Sequence, residues 1–114
     1  MHEMGIVFSL MDTLRSVMKD NNVTELKSVT LEVGEASLVV PRFMEECWDA
    51  AKRKSEFAAT DLKIVIVKAE GRCNRCGKIF LISDNKRICP HCGAADEFVT
   101  VSGTELNIKE IEAA

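Results

Sequence analysis

Four of the five cysteines lie in two pairs in the second half of the chain, and they are the residues best suited to chemistry. The pairs occur in CNRCG at 73–77 and in CPHCG at 89–93. Two residues between cysteines let both sulfurs reach one tetrahedral ion at about 2.3 Å. The glycines that follow, Gly77 and Gly93, permit a tight backbone turn beneath the metal. The pattern therefore predicts one zinc ion bound by Cys73, Cys76, Cys89 and Cys92.

Two other uses of paired cysteines fit the sequence less well. A redox disulfide needs a single CxxC on a βαβ unit, whereas this segment has two pairs in a glycine-rich module. Iron also accepts four thiolates, so an iron site stays open, but zinc is the more usual ion at such spacings. Four thiolates close the coordination sphere, which predicts a structural rather than a catalytic site.

Two further residues raise the question of extra ligands. His91 lies inside the second pair, where we expect a solvent-facing residue of the turn; a replacement ligand or a pH sensor is the alternative. Cys47 lies on the apolar stripe of a predicted helix. We interpret it as a small core residue and not as a fifth ligand.

The chain begins Met1-His2-Glu3, which is a second place for metal chemistry. Histidine is too large for efficient removal of the initiator methionine, so we expect the Met1 amine to persist. This amine, the His2 imidazole and the intervening amide nitrogens would form the square-planar nitrogen set that Ni²⁺ and Cu²⁺ favour. Alone, the three residues would more simply be a frayed terminus.

The elements that position these residues follow from periodicity. Apolar residues at helical spacing predict a helix over 3–20, and alternation predicts a strand over 26–33. A second helix starts near Pro41, with Phe43, Met44, Cys47, Trp48 and Ala51 as its buried stripe. The segment 62–69 is apolar on both faces at its centre, which predicts a central strand.

The remaining elements belong to the cysteine module and the end of the chain. Between the cysteine pairs, residues 78–82 and 87–88 are expected to form a small hairpin. A last strand carries Leu106 and Ile108 on one face. The predicted fold class is α+β, a small three-stranded sheet with two helices plus an inserted zinc ribbon. Its domains would be 1–70 with 101–114, and the ribbon 71–100.

Composition limits the function classes. The formal net charge is −3 and 46% of the residues are apolar. Within 71–97, five basic and three acidic residues give +2, which four thiolates on Zn²⁺ would cancel. This balance argues against nucleic-acid binding, and no apolar run is long enough to span a membrane. The lack of a signal peptide and the paired cysteines predict a cytoplasmic protein.

The order of motifs along nearly the whole chain resembles one family. These motifs are MHEMGIVFSLMDTL, VTLEVGE, LKIVIVKAEGRCNRCG, ICPHCG and GTELNIKEIE, and they are similar to those of the HypA/HybF nickel metallochaperones. The resemblance implies nickel binding by Met1, His2 and Glu3, and zinc binding by the four cysteines. It also implies a GTPase partner, HypB, and nickel delivery to the precursor of the [NiFe]-hydrogenase large subunit.

Other functions compete with a nickel carrier. No nucleophile–base pair stands out, so we predict that the chain is not an enzyme. A zinc-ribbon nucleic-acid factor would use Arg72, Arg75, Lys78, Lys86 and Arg87, but few aromatic residues are available for stacking. A structural adaptor, including a homodimer, could use Val65 and Val67 on the second predicted strand as an interface.

Overall fold

The computed structural model describes residues 3–114, which form two helices and six strands. Both helices precede the cysteine module, and one strand of the main sheet follows it. In chain order the elements are α1 (Glu3–Asp20), β1 (Leu26–Gly34), α2 (Pro41–Lys52), β2 (Asp61–Val67), β3 (Glu70–Cys73), β4 (Ile79–Leu81), β5 (Phe98–Ser102) and β6 (Leu106–Ala113).

The helices form where the apolar stripes predict them. In α1 the buried residues recur at helical spacing; they are Val7, Leu10, Met11, Leu14 and Met18. Helix α2 begins at Pro41, whose fixed φ suits a first helical residue. Its buried residues are Met44 and Trp48. The predicted burial of Phe43 is wrong, because its side chain is 49% exposed.

The first sheet has the strand order β2-β1-β6. The prediction that the second strand is central is wrong: β1 is central, and β2 lies at an edge with Val65, Ile66 and Val67 exposed. Polar residues occur on β1 among the apolar ones, which obscured its central position in the sequence. Ser28 is buried, and its hydroxyl donates to Glu112 Oε1 at 2.9 Å, which satisfies the buried polar group.

The second sheet contains the strands that carry and flank the first cysteine pair, in the order β4-β3-β5. The expected hairpin between 78–82 and 87–88 is wrong. Strand β4 instead pairs antiparallel with β3, and Ile88 forms an isolated bridge with Ala95. The sequence analysis also missed β5, which pairs antiparallel with the other edge of β3. The α+β class with two helices, small sheets and a ribbon is confirmed.

The chain divides into two compact units. The first unit comprises the chain up to Leu31 together with Val39–Val65 and Ile108–Ala114. The second, which we call the ribbon unit, comprises Glu32–Leu38 and Ile66–Asn107. The ribbon unit contains the predicted ribbon range 71–100 and extends beyond it. Across residues 3–114, no helix is long and apolar enough to cross a membrane.

Candidate metal centre

The structure brings the four predicted cysteine sulfurs together in the ribbon unit. Their Sγ atoms all lie within 4.8 Å of one another. Cys73 Sγ is 3.6 Å from Cys92 Sγ, and Cys76 Sγ is 3.6 Å from Cys89 Sγ. A regular tetrahedron with metal–sulfur bonds of about 2.3 Å has edges of about 3.8 Å. The sulfur set therefore has the size that one tetrahedral ion requires.

Each pair is built by the same backbone turn. The amide of Gly77 donates to the carbonyl of Cys73 at 2.9 Å, and the amide of Gly93 donates to the carbonyl of Cys89 at 2.8 Å. Both glycines have φ of +78°, a left-handed conformation that other residues adopt at a cost. The glycine after each CxxC thus closes the turn that aims both sulfurs at one point.

The cysteines of each pair differ in burial. Cys73 and Cys89, the first of each pair, are buried, whereas Cys76 and Cys92 are exposed. The buried cysteines form part of the ribbon core together with Phe80. This arrangement attaches the sulfur cluster to the core on one side and leaves the other side facing solvent.

The electrostatics of the cluster favour a bound cation. Backbone amides, those of Cys76 and Arg75, lower the pKa of the Cys73 thiol to about 6. The Ala94 amide likewise lowers the pKa of Cys92, but desolvation and the neighbouring thiols together raise it to about 11. The raised pKa keeps Cys92 a thiol at neutral pH when no cation is bound. A divalent ion would deprotonate the four thiols and would use the whole set as ligands.

The remaining predicted site residues lie elsewhere or outside the described residues. His91 is exposed in the second turn and is not part of the sulfur group. Cys47 is half-buried on α2 and likewise apart from it. Met1 and His2 lie outside the described residues. Glu3 is the first residue of α1 and is half-buried.

The structure adds one contact of Glu3 that the sequence analysis missed. The backbone N–H of Val40, the residue before α2, donates to Glu3 Oε2 at 3.5 Å. The two residues are 37 positions apart, so no local sequence pattern marks the contact. It links the start of α1 to the start of α2 within the first unit.

Comparison with known proteins identifies the family. Residues 1–113 match the family described as "Hydrogenase/urease nickel incorporation, metallochaperone, hypA". The chain belongs to the HypA family. The hydrogenase maturation factor HypA of Geobacter metallireducens is 38% identical over 112 residues, which is 98% of each chain. The hydrogenase maturation factor HypA of Rhizobium leguminosarum bv. viciae is 32% identical over 112 residues, again 98% of each chain.

A solved structure shows the same fold. The solution structure of the Ni metallochaperone HypA from Helicobacter pylori aligns with a TM-score of 0.70 and covers 99% of this chain and 97% of that one. Its sequence is 23% identical, so the likeness concerns the fold. The HypA family consists of metallochaperones that act in nickel incorporation, and this confirms the prediction that the chain is not an enzyme.

Proposed function

We propose that this HypA-family chain binds Ni(II) as cargo at its amino terminus and delivers it during [NiFe]-hydrogenase maturation, while its ribbon domain holds a structural zinc ion. The observation that carries this proposal is the match of residues 1–113 to a nickel-incorporation family. The four-sulfur cluster supports the zinc part independently.

The zinc ligands would be Cys73, Cys76, Cys89 and Cys92. Four thiolates at tetrahedral spacing suit Zn²⁺ and leave no open position for a substrate. Bound zinc would stabilise the ribbon without taking part in nickel chemistry. Metal analysis of the purified protein tests this: we expect one zinc per chain. Iron in its place would overturn the metal assignment.

The nickel ligands would be the Met1 amine, the His2 imidazole and backbone nitrogen or carboxylate groups near Glu3. The position of Glu3 supports a role for its amide. The first four N–H groups of an α-helix lack partners within the helix, and Glu3 is the first residue of α1. Deprotonation of the Glu3 amide by nickel therefore breaks no helical hydrogen bond. The carboxylate of Glu3 can retain its contact with Val40 at the same time.

Nickel titration by calorimetry tests this site, using untagged, zinc-loaded protein. The chain has two histidines, which provide a matched pair of variants: His2→Ala and His91→Ala. We expect His2→Ala, acetylation of the Met1 amine and a residue added before Met1 each to weaken binding strongly. His91→Ala should bind as wild type does. Equal binding by wild type, His2→Ala and acetylated protein would remove the amino-terminal site from the proposal.

The pH dependence of nickel affinity provides a second test of the same ligands. The amine has a reference pKa of about 7.7–8.0 and the imidazole one of about 6.5, and both groups must lose their protons to bind. Affinity should therefore fall as pH decreases through these values. An affinity that stays constant from about pH 8 to about pH 6 would exclude these two groups as ligands.

Delivery requires partners, for which we propose the GTPase HypB and the precursor of the hydrogenase large subunit. The relatives are named hydrogenase maturation factors, whereas the family description also includes urease. A bacterial strain lacking its own HypA separates the two recipients. Wild-type protein should restore hydrogenase activity and His2→Ala should not. Restoration of urease activity alone would reassign the recipient.

A further inference from the structure

The two sides of the sulfur cluster differ in their access to solvent. Cys73 and Cys89 are 2% and 1% exposed and belong to the ribbon core, whereas Cys76 and Cys92 are exposed. A cysteine sulfur reacts with oxidants and other electrophiles only where these molecules can reach it. Chemical modification of the cluster should therefore begin at Cys76 or at Cys92.

Hydrogen bonds from the backbone distinguish the two exposed cysteines. The sulfur of Cys92 accepts a hydrogen bond from the Ala94 amide. Among residues 3–114, no backbone amide donates to Cys76 Sγ, which lies 3.6 Å from Cys89 Sγ. A hydrogen bond withdraws negative charge from a thiolate and makes its sulfur a weaker nucleophile. Cys76 is therefore the exposed cysteine with the more nucleophilic sulfur.

Positive charges beside Cys76 favour its reaction with a peroxide. Arg75 precedes Cys76 and Lys78 follows two residues later, and both side chains are exposed. Reactive cysteines lie in electropositive, solvent-accessible surroundings. The turn around Cys92, residues 90–94, contains no arginine or lysine. Exposure, a sulfur without an amide donor and neighbouring positive charge therefore coincide at Cys76.

We propose that Cys76 is the oxidation site of the ribbon: a peroxide oxidises Cys76 first, and Cys89 then forms a disulfide with it. Cys89 is the partner because the two Sγ atoms lie 3.6 Å apart, and side-chain rotation must shorten this to a bond of about 2.05 Å. The inference rests on the proposed function, in which both cysteines are zinc ligands. A disulfide removes two of the four ligands, so oxidation would end zinc binding by the ribbon.

The reaction has two steps. The Cys76 sulfur attacks one oxygen of hydrogen peroxide, the O–O bond breaks, and hydroxide leaves with the bonding electron pair, so that Cys76 becomes a sulfenic acid. The Cys89 thiolate then attacks the Cys76 sulfur, and a second hydroxide leaves as the S–S bond forms. Each hydroxide takes up one proton from solvent. The two thiolates thus lose one electron each, and one peroxide is reduced to two water molecules.

Peroxide treatment of the full-length, zinc-loaded protein tests the proposal. Metal analysis comes first: protein that binds no zinc would contradict the zinc assignment itself, whereas all later results concern the oxidation site. Hydrogen peroxide should then release zinc to a colorimetric chelator in step with disulfide formation. Peptide mapping by mass spectrometry should detect the Cys76–Cys89 disulfide before any other cysteine is modified. Dithiothreitol and added zinc should restore the original zinc content.

Histidine variants separate Cys76 from Cys92, because zinc also accepts three cysteines and one histidine. Cys76→His and Cys92→His each remove one exposed thiolate and keep four ligands at the site. Zinc release by peroxide should be about tenfold slower from Cys76→His than from Cys92→His, because only the former lacks the reactive sulfur. Cys47→Ser, on α2 and outside the cluster, is the control and should release zinc as the wild type does.

Three results would overturn the proposal. The first is a wild-type protein that keeps its zinc in an excess of peroxide. The second is a peptide map in which Cys92 or Cys47 is oxidised before Cys76. The third is equal zinc release from the two histidine variants. Where a histidine variant fails to bind zinc, the peptide map of the wild type decides between Cys76 and Cys92.

Discussion

The two units of this molecule differ in the kinds of side chain that form their cores. The first unit buries large apolar side chains from both helices, the sheet and the turn after α2, including Leu14, Leu31, Trp48 and Phe57. The core cluster of the ribbon unit contains six buried residues, namely Ala69, Cys73, Phe80, Ile82, Cys89 and Ala94. Two of the six are predicted metal ligands and two are alanines. The ribbon unit therefore has little apolar surface with which to stabilise itself.

The difference between the two cores means that the two units would owe their stability to different interactions. A small hydrophobic core supplies only a modest free energy of folding, whereas structural zinc supplies much more when the fold creates its site. Under the proposed function, the first unit would stay folded while the terminus exchanges nickel, and the ribbon unit would depend on a zinc ion that stays bound. This separation would let the protein release one ion while the other unit stays folded.

Removal of the proposed ribbon zinc should have the largest effect. Chelation removes a metal contribution that reaches about 10–16 kcal/mol in zinc-finger peptides, and Cys89→Ser removes one of its four ligands; each change should unfold the ribbon unit. The only tryptophan, Trp48, is 1% exposed in the first unit, so its fluorescence reports that unit alone. We expect the ribbon amides to lose hydrogen-exchange protection while the emission of Trp48 stays unchanged.

The fifth cysteine provides the control for that experiment. Cys47→Ser, on α2 and outside the sulfur cluster, should retain both metal and ribbon structure. A simultaneous change in Trp48 emission and ribbon protection would show that the two units unfold together. The contrast between an apolar unit and a metal-stabilised unit would then be wrong.

A core deletion in the first unit should have the next largest effect. Trp48 packs against Phe57 with ring centroids 5.8 Å apart, and its indole N–H donates to the carbonyl of Thr60 at 3.0 Å. Trp48→Ala should lower the free energy of unfolding by about 3–5 kcal/mol. Urea denaturation followed by far-UV circular dichroism measures this, because both helices belong to the first unit.

Phe43→Ala on the same helix is the matched control, because Phe43 is 49% exposed. It should change the free energy of unfolding by at most about 0.5 kcal/mol. Both variants should retain zinc. Loss of zinc from Trp48→Ala protein would indicate that the first unit supports the ribbon.

A smaller effect is expected from glycine substitutions, with opposite signs in the two units. Gly103 has φ of +82°, and an added Cβ would lie 2.5 Å from the Cα of Ala69. Gly103→Ala should destabilise the ribbon unit by about 1–3 kcal/mol. In α1, an added Cβ at Gly5 would meet no atom within 4 Å. Gly5→Ala should stabilise the first unit by about 0.5–1 kcal/mol.

Hydrogen exchange measures the effect of both substitutions, since it reports the protection of the backbone amides in each unit separately. Protection should fall in the ribbon with Gly103→Ala and rise in the helices with Gly5→Ala. Equal effects of either variant on both units would indicate a single cooperative structure.

The sequence predicted well wherever one local pattern determines the structure. Residues 3–20 form α1 as the apolar spacing predicts, and the four cysteines converge as their two CxxC motifs predict. Predictions failed where long-range pairing decides. The apolar run of β2 indicated a central strand, but β1 is central, and the hydroxyl of its polar Ser28 donates to Glu112, 84 residues away in the chain. Likewise, β4 pairs with β3, and the spacing between the cysteines does not determine this pairing.

The smallest expected effect concerns a surface ion pair of the first unit. Arg15 donates twice to the carboxylate of Glu56, from Nε to Oε2 at 2.7 Å and from Nη2 to Oε1 at 2.9 Å. These hydrogen bonds, together with the positive charge of Arg15, lower the pKa of Glu56 from 4.5 to about 2. Both side chains are almost half exposed, so solvent limits the contribution to at most about 1 kcal/mol.

The sign of the pH dependence follows from the lowered pKa of Glu56. Its stabilisation is fully present above about pH 4.5, where the carboxyl is ionised in both states, and is lost as pH falls towards about 2. Wild type should therefore exceed Glu56→Gln in stability at pH 6, and the difference should vanish near pH 2. Trp48 fluorescence in urea isolates this effect, because acid also protonates the ribbon thiolates and releases their metal.

Glu45→Gln on α2 removes an equal charge and corrects for net charge. Arg15 also packs on Phe57, with its Cζ 5.5 Å from the ring centroid. If the stability difference between wild type and Glu56→Gln stays constant from pH 6 to pH 2, the pair acts through this packing and not through the carboxylate charge.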